Sequence, residues 1–109
     1  MTHAPVILVT GAARRVGAAI ARTLHDSGAT IALHYRSSAT EAEVLAAQLN
    51  QIRPGSASLI KGDLSKDGVP ERVAHSVLAE HGGVDGLVNN ASSFFPTPIG
   101  EIDDSAWNE

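Results

Sequence analysis

The residues best suited to chemistry cluster at four places, and the first is suited to phosphate. Thr10-Gly-Ala-Ala-Arg-Arg-Val-Gly17 follows an apolar run and opens a helical pattern. A helix start offers unpaired backbone N–H groups and a partial positive charge, and glycine lets a pyrophosphate approach that backbone closely. Gly11 and Gly17 are therefore read as a dinucleotide-binding turn; a tight strand-to-helix turn with no ligand is the plainer alternative. Arg14 and Arg15 oppose the helix dipole at about 0.3–1 kcal/mol each unless an anion sits beside them. That unfavourable placement points to a bound phosphate rather than to a solvated helix start. Val16 belongs to the segment expected to meet it.

Tyr35, Arg36 and Ser37 form the second cluster. Arg36 lies 19 residues beyond Gly17, where NAD binders carry an acid for the ribose hydroxyls, and no acid occurs here before Glu41. An arginine flanked by hydroxyls complements a 2′-phosphate. One charge-assisted hydrogen bond contributes about 1.5–3 kcal/mol, tenfold or more in selectivity. NADPH is thus expected in preference to NADH, against the alternative of an ordinary polar turn. Asp63 is read as a helix N-cap or a turn residue.

Asn90, Ala91 and Ser92 fall at the carboxyl end of a strand, where parallel sheets bind ligands, and their small size lets a ribose and nicotinamide come close. A plain turn is the other reading. Phe94 and Phe95 lie in a Pro-flanked loop. They suit a small core plug, or, for Phe94, a face on which a flat heteroaromatic ring stacks for about 0.5–1.5 kcal/mol beyond its burial. The five histidines show no metal-ligand spacing, so no metal is expected. His25 and His75 are read as near helix surfaces and His81 as near a helix C-terminus; His34 is placed beside the cofactor.

These residues need a scaffold, and the hydrophobic pattern supplies one. Strands are expected at 6–10, 30–34, 58–60 and 84–89. The first is apolar enough for burial on both faces. Between them come three helices. Val16, Ile20 and Leu24 mark the apolar face of the first, with Gly28 as its stop. Thr40-Glu-Ala-Glu43 opens the second as a capping box, with Leu45, Leu49 and Ile52 as its stripe and Pro54-Gly55 at its end. The third spans 70–80, with Val69, Val73 and Val77 aligned. A loop over 90–98 and a helix beginning near 104 follow. Strands alternating with helices imply parallel pairing through right-handed crossovers: an α/β, Rossmann-type doubly wound sheet, of which this chain holds the first half.

Composition narrows the function classes. The 109 residues are 43% hydrophobic and 18% charged, ordinary for a globular chain. No cysteine occurs, which excludes disulfides and thiolate metal sites. A formal net charge of −4 with no basic stripe argues against a nucleic-acid partner. No apolar run reaches the roughly 18 residues of a membrane span, so a cytoplasmic protein with no membrane partner is expected.

The glycine turn, the Asp63-Leu64 pair and Asn89-Asn-Ala-Ser92 together resemble the short-chain dehydrogenases/reductases. Within that family, Arg14-Arg15, His34-Tyr-Arg-Ser37 and Asn90-Ala-Ser-Ser-Phe-Phe-Pro-Thr-Pro98 resemble the pteridine reductases. The general motif has glycine where this chain has Arg15, as that branch does. The resemblance implies an NADPH-dependent reductase passing hydride to a dihydropteridine such as dihydrobiopterin or dihydrofolate. It puts Gly11, Arg14, Arg15, Val16, Gly17, Tyr35, Arg36, Ser37, Asp63, Leu64, Asn90, Ala91 and Ser92 at the cofactor. Arg15, Ser92 and Phe94 would hold a pterin or folate substrate, with Asp63 and Leu64 beside the adenine and Arg15 facing inward. Family members are usually homotetramers. The family's catalytic Tyr-x-x-x-Lys is not in this chain: its one tyrosine, Tyr35, has Ala39 four residues on. Residues 1–109 are therefore expected to be a partial NADP-binding domain, truncated before the catalytic pair and inactive alone. Alternatives are a carbonyl or 3-oxoacyl reductase, and a truncated nucleotide-binding fragment whose open sheet edge invites pairing.

Overall fold

Val6-Ile-Leu-Val-Thr10 carries no polar side chain before its last residue, and the fold buries it from both faces. The computed structural model describes residues 4–90. Along them run β1 (Val6–Thr10), α1 (Arg15–Asp26), β2 (Thr30–Tyr35), α2 (Ala39–Ile52), β3 (Ala57–Lys61), α3 (Val69–His81) and β4 (Gly86–Asn89). The sheet order is β3-β2-β1-β4, with every pair parallel. The chain steps outward from β1 to β3 and then crosses to the far side of β1, so the strand order reverses beside β1. Ligands of open α/β sheets bind outside the strand ends at such a reversal. The expected loop over 90–98 and the helix near 104 lie outside the described residues.

Side-chain alternation sends the strands' apolar groups to two cores. Val9, Ile31 and Leu33 pack with Ala21 of α1 and with Leu45, Ala46 and Leu49 of α2. Val6, Leu8 and Ala32 pack on the opposite face with Val73 and Val77 of α3, and Val69 joins them as its spacing predicts. The doubly wound α/β expectation holds: helices cover both faces of the parallel sheet. Among the described residues no helix is long and apolar enough to cross a membrane.

Three local expectations are corrected. Helix α1 buries Gly17, Ala21 and His25 rather than a Val16–Ile20–Leu24 stripe; Ile20 and Leu24 flank that line and Val16 is 63% exposed. The reason is distance. A Cβ on Gly17 would stand 2.1 Å from the Gly11 carbonyl oxygen, so only small residues fit the line of closest approach. The capping box at Thr40 does not form, because α2 begins at Ala39 with Ser38 as its N-cap and no side-chain cap bond. Asp63 is a turn residue and not the cap of α3, whose N-cap is Gly68 at φ 81°. Strand boundaries shift by a residue or two: β2 and β3 run longer than expected, and β4 begins at Gly86.

His25 is also not a surface residue. It is 2% exposed, and its Nε2 lies 2.6 Å from the buried Ser56 Oγ, tying the end of α1 to the α2–β3 connection. The Ser56 hydroxyl donates in turn to the Arg53 carbonyl at 2.5 Å. Burial, and then the Arg53 guanidinium, hold this imidazole below its usual titration range, against the smaller opposing pull of Asp26. Its native pKa is thus lower than its unfolded one, and the unfolded chain takes up the proton first on acidification. The contribution is complete above about pH 6.5 and is lost as the pH falls. The melting temperature is therefore expected to drop from about pH 7.5 to about pH 5, and to drop less in His25→Gln. Circular-dichroism melts check this; a melting temperature unchanged across that window refutes it.

Candidate functional site

The carboxyl ends of β1, β2 and β3 open into one cleft of about 190 Å³, lined by residues of three successive turns. Gly11, Ala13 and Arg14 come from the first, Tyr35, Arg36, Ser37 and Ser38 from the second, and Gly62, Asp63 and Leu64 from the third. The register explains why they converge. Thr30 pairs with Val6 and Ile31 with Ala57, so the three strands end side by side.

Gly11 takes φ 61°, a left-handed conformation that glycine adopts without steric cost. Its neighbours hold it from both sides. From β2, the His34 carbonyl accepts the Ala12 N–H at 2.8 Å, and His34 Nδ1 accepts the Gly11 N–H at 3.1 Å. From β4, Asn90 Nδ2 donates to the Gly11 carbonyl at 3.1 Å, and the Asn90 N–H donates to Thr10 Oγ1 at 2.9 Å. Helix α1 then starts with no side-chain cap and no acidic residue in its first turn. An uncapped positive helix end with Arg14 at the cleft wall is a place for an anion.

Across the cleft, Arg36 Nε lies 3.7 Å from Asp63 Oδ2. Arg36 is largely exposed, so the pair is loose and the guanidinium is free to turn toward a ligand phosphate. Asp63 Oδ1 accepts from the Ser65 hydroxyl at 2.6 Å and from the Ser65 N–H at 3.0 Å. Those two bonds, more than Arg36 or Lys66, hold its carboxyl below the usual carboxylate range. The side chain is therefore an anionic acceptor near neutral pH, able to take a hydrogen bond from an amino or hydroxyl group.

Of the residues singled out by sequence, Gly11, Arg14, Tyr35, Arg36, Ser37, Asp63 and Leu64 share this cleft. Gly17 lies beneath the turn, its missing Cβ leaving room for the Gly11 carbonyl and the Asn90 amide. Asn90 braces the turn from the β4 side. Val16 is outside the cleft lining, on the exposed face of α1 beside Ala19, Ile20 and Thr23. Arg15 is exposed and does not line the cleft either. Ala91, Ser92 and Phe94 lie outside the described residues. Sequence reading missed the two-sided bond of His34; a histidine inside an otherwise apolar strand was the available signal. Among the described residues no group of three or more His, Cys, Asp or Glu could hold a metal ion.

Arg15 has φ 53°, the one left-handed non-glycine among the described residues. That region costs an L side chain about 1–2 kcal/mol, which explains glycine at this place in the general motif. Arg15→Gly is expected to raise stability by roughly 0.5–1 kcal/mol, the relief being partly offset by glycine's greater unfolded-state entropy. Urea denaturation reads this directly, and lower stability in the variant contradicts it.

The comparisons agree with this geometry. The sequence model of the short chain dehydrogenase family matches residues 5–109. Pteridine reductase 1 of Leishmania tarentolae is 46% identical over 113 residues, which cover 88% of this chain and 39% of that protein. The chain thus spans about two-fifths of the length of that relative. The short-chain dehydrogenase/reductase homolog YusS of Bacillus subtilis is 34% identical over 98 residues, 90% of this chain and 89% of that protein. A short-chain type dehydrogenase/reductase of Picea abies is 34% identical over 111 residues, 94% of this chain and 41% of its own length. With a parallel sheet wound on both faces and a glycine turn braced at its strand ends, the chain belongs to the short chain dehydrogenase family of oxidoreductases.

Proposed function

We propose that residues 1–109 form the N-terminal part of the NADPH-binding domain of a reductase that acts on a dihydropteridine. The observation that carries the cofactor reading is the cleft wall itself. Arg36 and Ser37 stand after β2, with Arg14 also on the cleft wall, and the carboxylate of the cleft lining, Asp63, comes from the turn after β3 rather than from the end of β2. The residues fit the phosphate and adenosine end of the cofactor. Gly11 lets the backbone come close, the uncapped start of α1 receives the pyrophosphate, Arg36 and Ser37 take the 2′-phosphate, and Asp63 and Leu64 border the adenine. Tyr35 walls the adenosine side. Bound NADPH supplies the hydride.

Arg15 supports the substrate half of the reading. A side chain kept in a strained backbone conformation is an outlier from which a role is inferred. In this reading it reaches from the turn to both phosphate and pterin. Val16, through its backbone at the start of α1 and not its side chain, meets the cofactor with Asn90, Ala91 and Ser92, Ser92 also meets the substrate, and Phe94 stacks on the pterin ring. The identity to a pteridine reductase favours this substrate class over a simple ketone. Homotetramer formation and a cytoplasmic setting are proposed with it. In the whole protein, Phe94→Ala is expected to lower kcat/KM for dihydrobiopterin tenfold or more, since lost stacking and burial together amount to over about 1.4 kcal/mol. Turnover of a small acyclic ketone should change far less. Equal loss of both activities identifies Phe94 as a packing residue and removes the pterin assignment. A second reading, a nucleotide-binding module without turnover, is favoured by the match to 89% of YusS.

A further inference from the structure

We infer that His34 is the positioning residue of the phosphate turn: its neutral ring locks Gly11 to Gly62 in the binding arrangement, and its protonation releases Gly11 and weakens nucleotide binding. This deepens the cofactor reading above and rests on it.

The geometry assigns the proton. His34 is 2% exposed near the end of β2, between the two turns that form the cleft walls. Its Nδ1 lies 3.1 Å from the Gly11 N, and its Nε2 lies 2.7 Å from the Gly62 O. An amide N–H only donates and a carbonyl only accepts, so Nδ1 carries no hydrogen and Nε2 does. That is one tautomer of the neutral ring. An imidazolium would set an Nδ1–H against the Gly11 N–H across the same 3.1 Å and forfeit that bond. The consequence falls on Gly11 because its left-handed backbone has many alternatives open to it, and this bond helps select one. Gly11 also carries on its carbonyl the contact with α1, so its rotation disturbs the helix start that faces the phosphates.

The surroundings favour the neutral ring as well. Burial pushes the His34 pKa down, outweighing the bond to Gly62, which raises it. The charged and titratable groups around it are Arg14 from the first turn, Tyr35 and Arg36 from its own strand end, Lys61 and Asp63 from the end of β3 and its turn, and Arg72 from α3. Arg72 donates to the Lys61 carbonyl beside Gly62. Four of these are cations. The single carboxylate, Asp63, is already engaged by Ser65 and Arg36. A bound pyrophosphate pulls the other way, toward imidazolium. The sign of the pH effect therefore separates a ring that braces the turn from one that contacts the phosphate.

The test is calorimetric titration of the 109-residue chain with NADP⁺ from about pH 7.5 to about pH 5, in wild type, His34→Asn and His34→Leu, beside amide NMR of the ligand-free wild type. The 2′-phosphate itself titrates near pH 6 in every sample, so the difference between variants is the reading. Asparagine offers an oxygen near the place of Nδ1 and does not titrate. It is expected to bind within about threefold of wild type at the upper pH and to lose less on acidification, again by about threefold or more. Leucine, with neither bond, is expected to bind about three- to tenfold more weakly at the upper pH. The Gly11 amide signal is expected to titrate together with the His34 ring, at a midpoint below the usual histidine value. Parallel acid losses in wild type and His34→Asn, tighter binding at low pH, or a Gly11 signal that ignores the ring each overturns the proposal. If His34→Leu fails to fold, the asparagine variant and the wild-type NMR still decide. Absence of NADP⁺ binding by wild type at the upper pH overturns the cofactor reading and this proposal together. Binding with parallel profiles overturns this proposal alone.

Discussion

Gly17→Ala is expected to destabilise the chain by about 3 kcal/mol or more, although alanine is the better helix former by about 1 kcal/mol. The added Cβ would lie 2.1 Å from the Gly11 carbonyl oxygen and 2.6 Å from Asn90 Nδ2. The first of these is backbone and cannot swing aside, so α1 must move off the sheet or the turn must deform. Either change weakens the packing of Ala21 against Val9, Ile31 and Leu33. Steric cost therefore outweighs propensity here. Small domains are stable by only about 5–15 kcal/mol, so the loss is a large share of the total. Urea denaturation by circular dichroism measures it. A loss under about 1 kcal/mol shows that the helix start has room, and that close packing is not what demands glycine.

Arg36→Asp is expected to reverse the cofactor preference. Among the described residues of wild type the exposed guanidinium has only the loose contact with Asp63, and turning it to a 2′-phosphate exchanges that contact for a charge-assisted one. Losing such a bond costs about 1.5–3 kcal/mol, which is tenfold or more in NADPH affinity, and repulsion from the new carboxylate adds to it. A carboxylate at this place also suits the two hydroxyls of an NADH ribose. Titrating both nucleotides against wild type and variant reads the outcome. Equal NADH and NADPH affinity in wild type removes the role given to Arg36 and Ser37. Asp63 moderates the gain for NADH, because Arg36→Asp brings a second carboxylate toward it.

Val6–Thr10 was legible in the sequence because a strand buried on both faces needs an unbroken apolar run, and nothing else in the chain has one beside a glycine turn. The alternation of strands and helices, the parallel sheet and the convergence of the three turns follow from that pattern with the right-handed crossover rule. The residue types at the cleft were legible for the same reason: the motif spacing counts along strand and turn, and the strand ends are where parallel sheets bind.

What only the tertiary structure decided are quantities of distance and facing. Periodicity marks Val16, Ile20 and Leu24 as the apolar stripe of α1, yet the closest approach of helix to sheet selects Gly17 and Ala21, because large side chains hold a helix away. Capping signals at Thr40 and Asp63 lost to backbone conformations set by where the preceding strands end. His25 and His34 look like scattered polar residues in one dimension. Their burial and their partners, Ser56 for one and Gly11 with Gly62 for the other, are separated by 23 to 31 residues along the chain. A hydrogen bond between two turns leaves no periodic trace, so motif spacing marks the turns that meet at the cleft and the folded sheet alone identifies the residues that hold them in place.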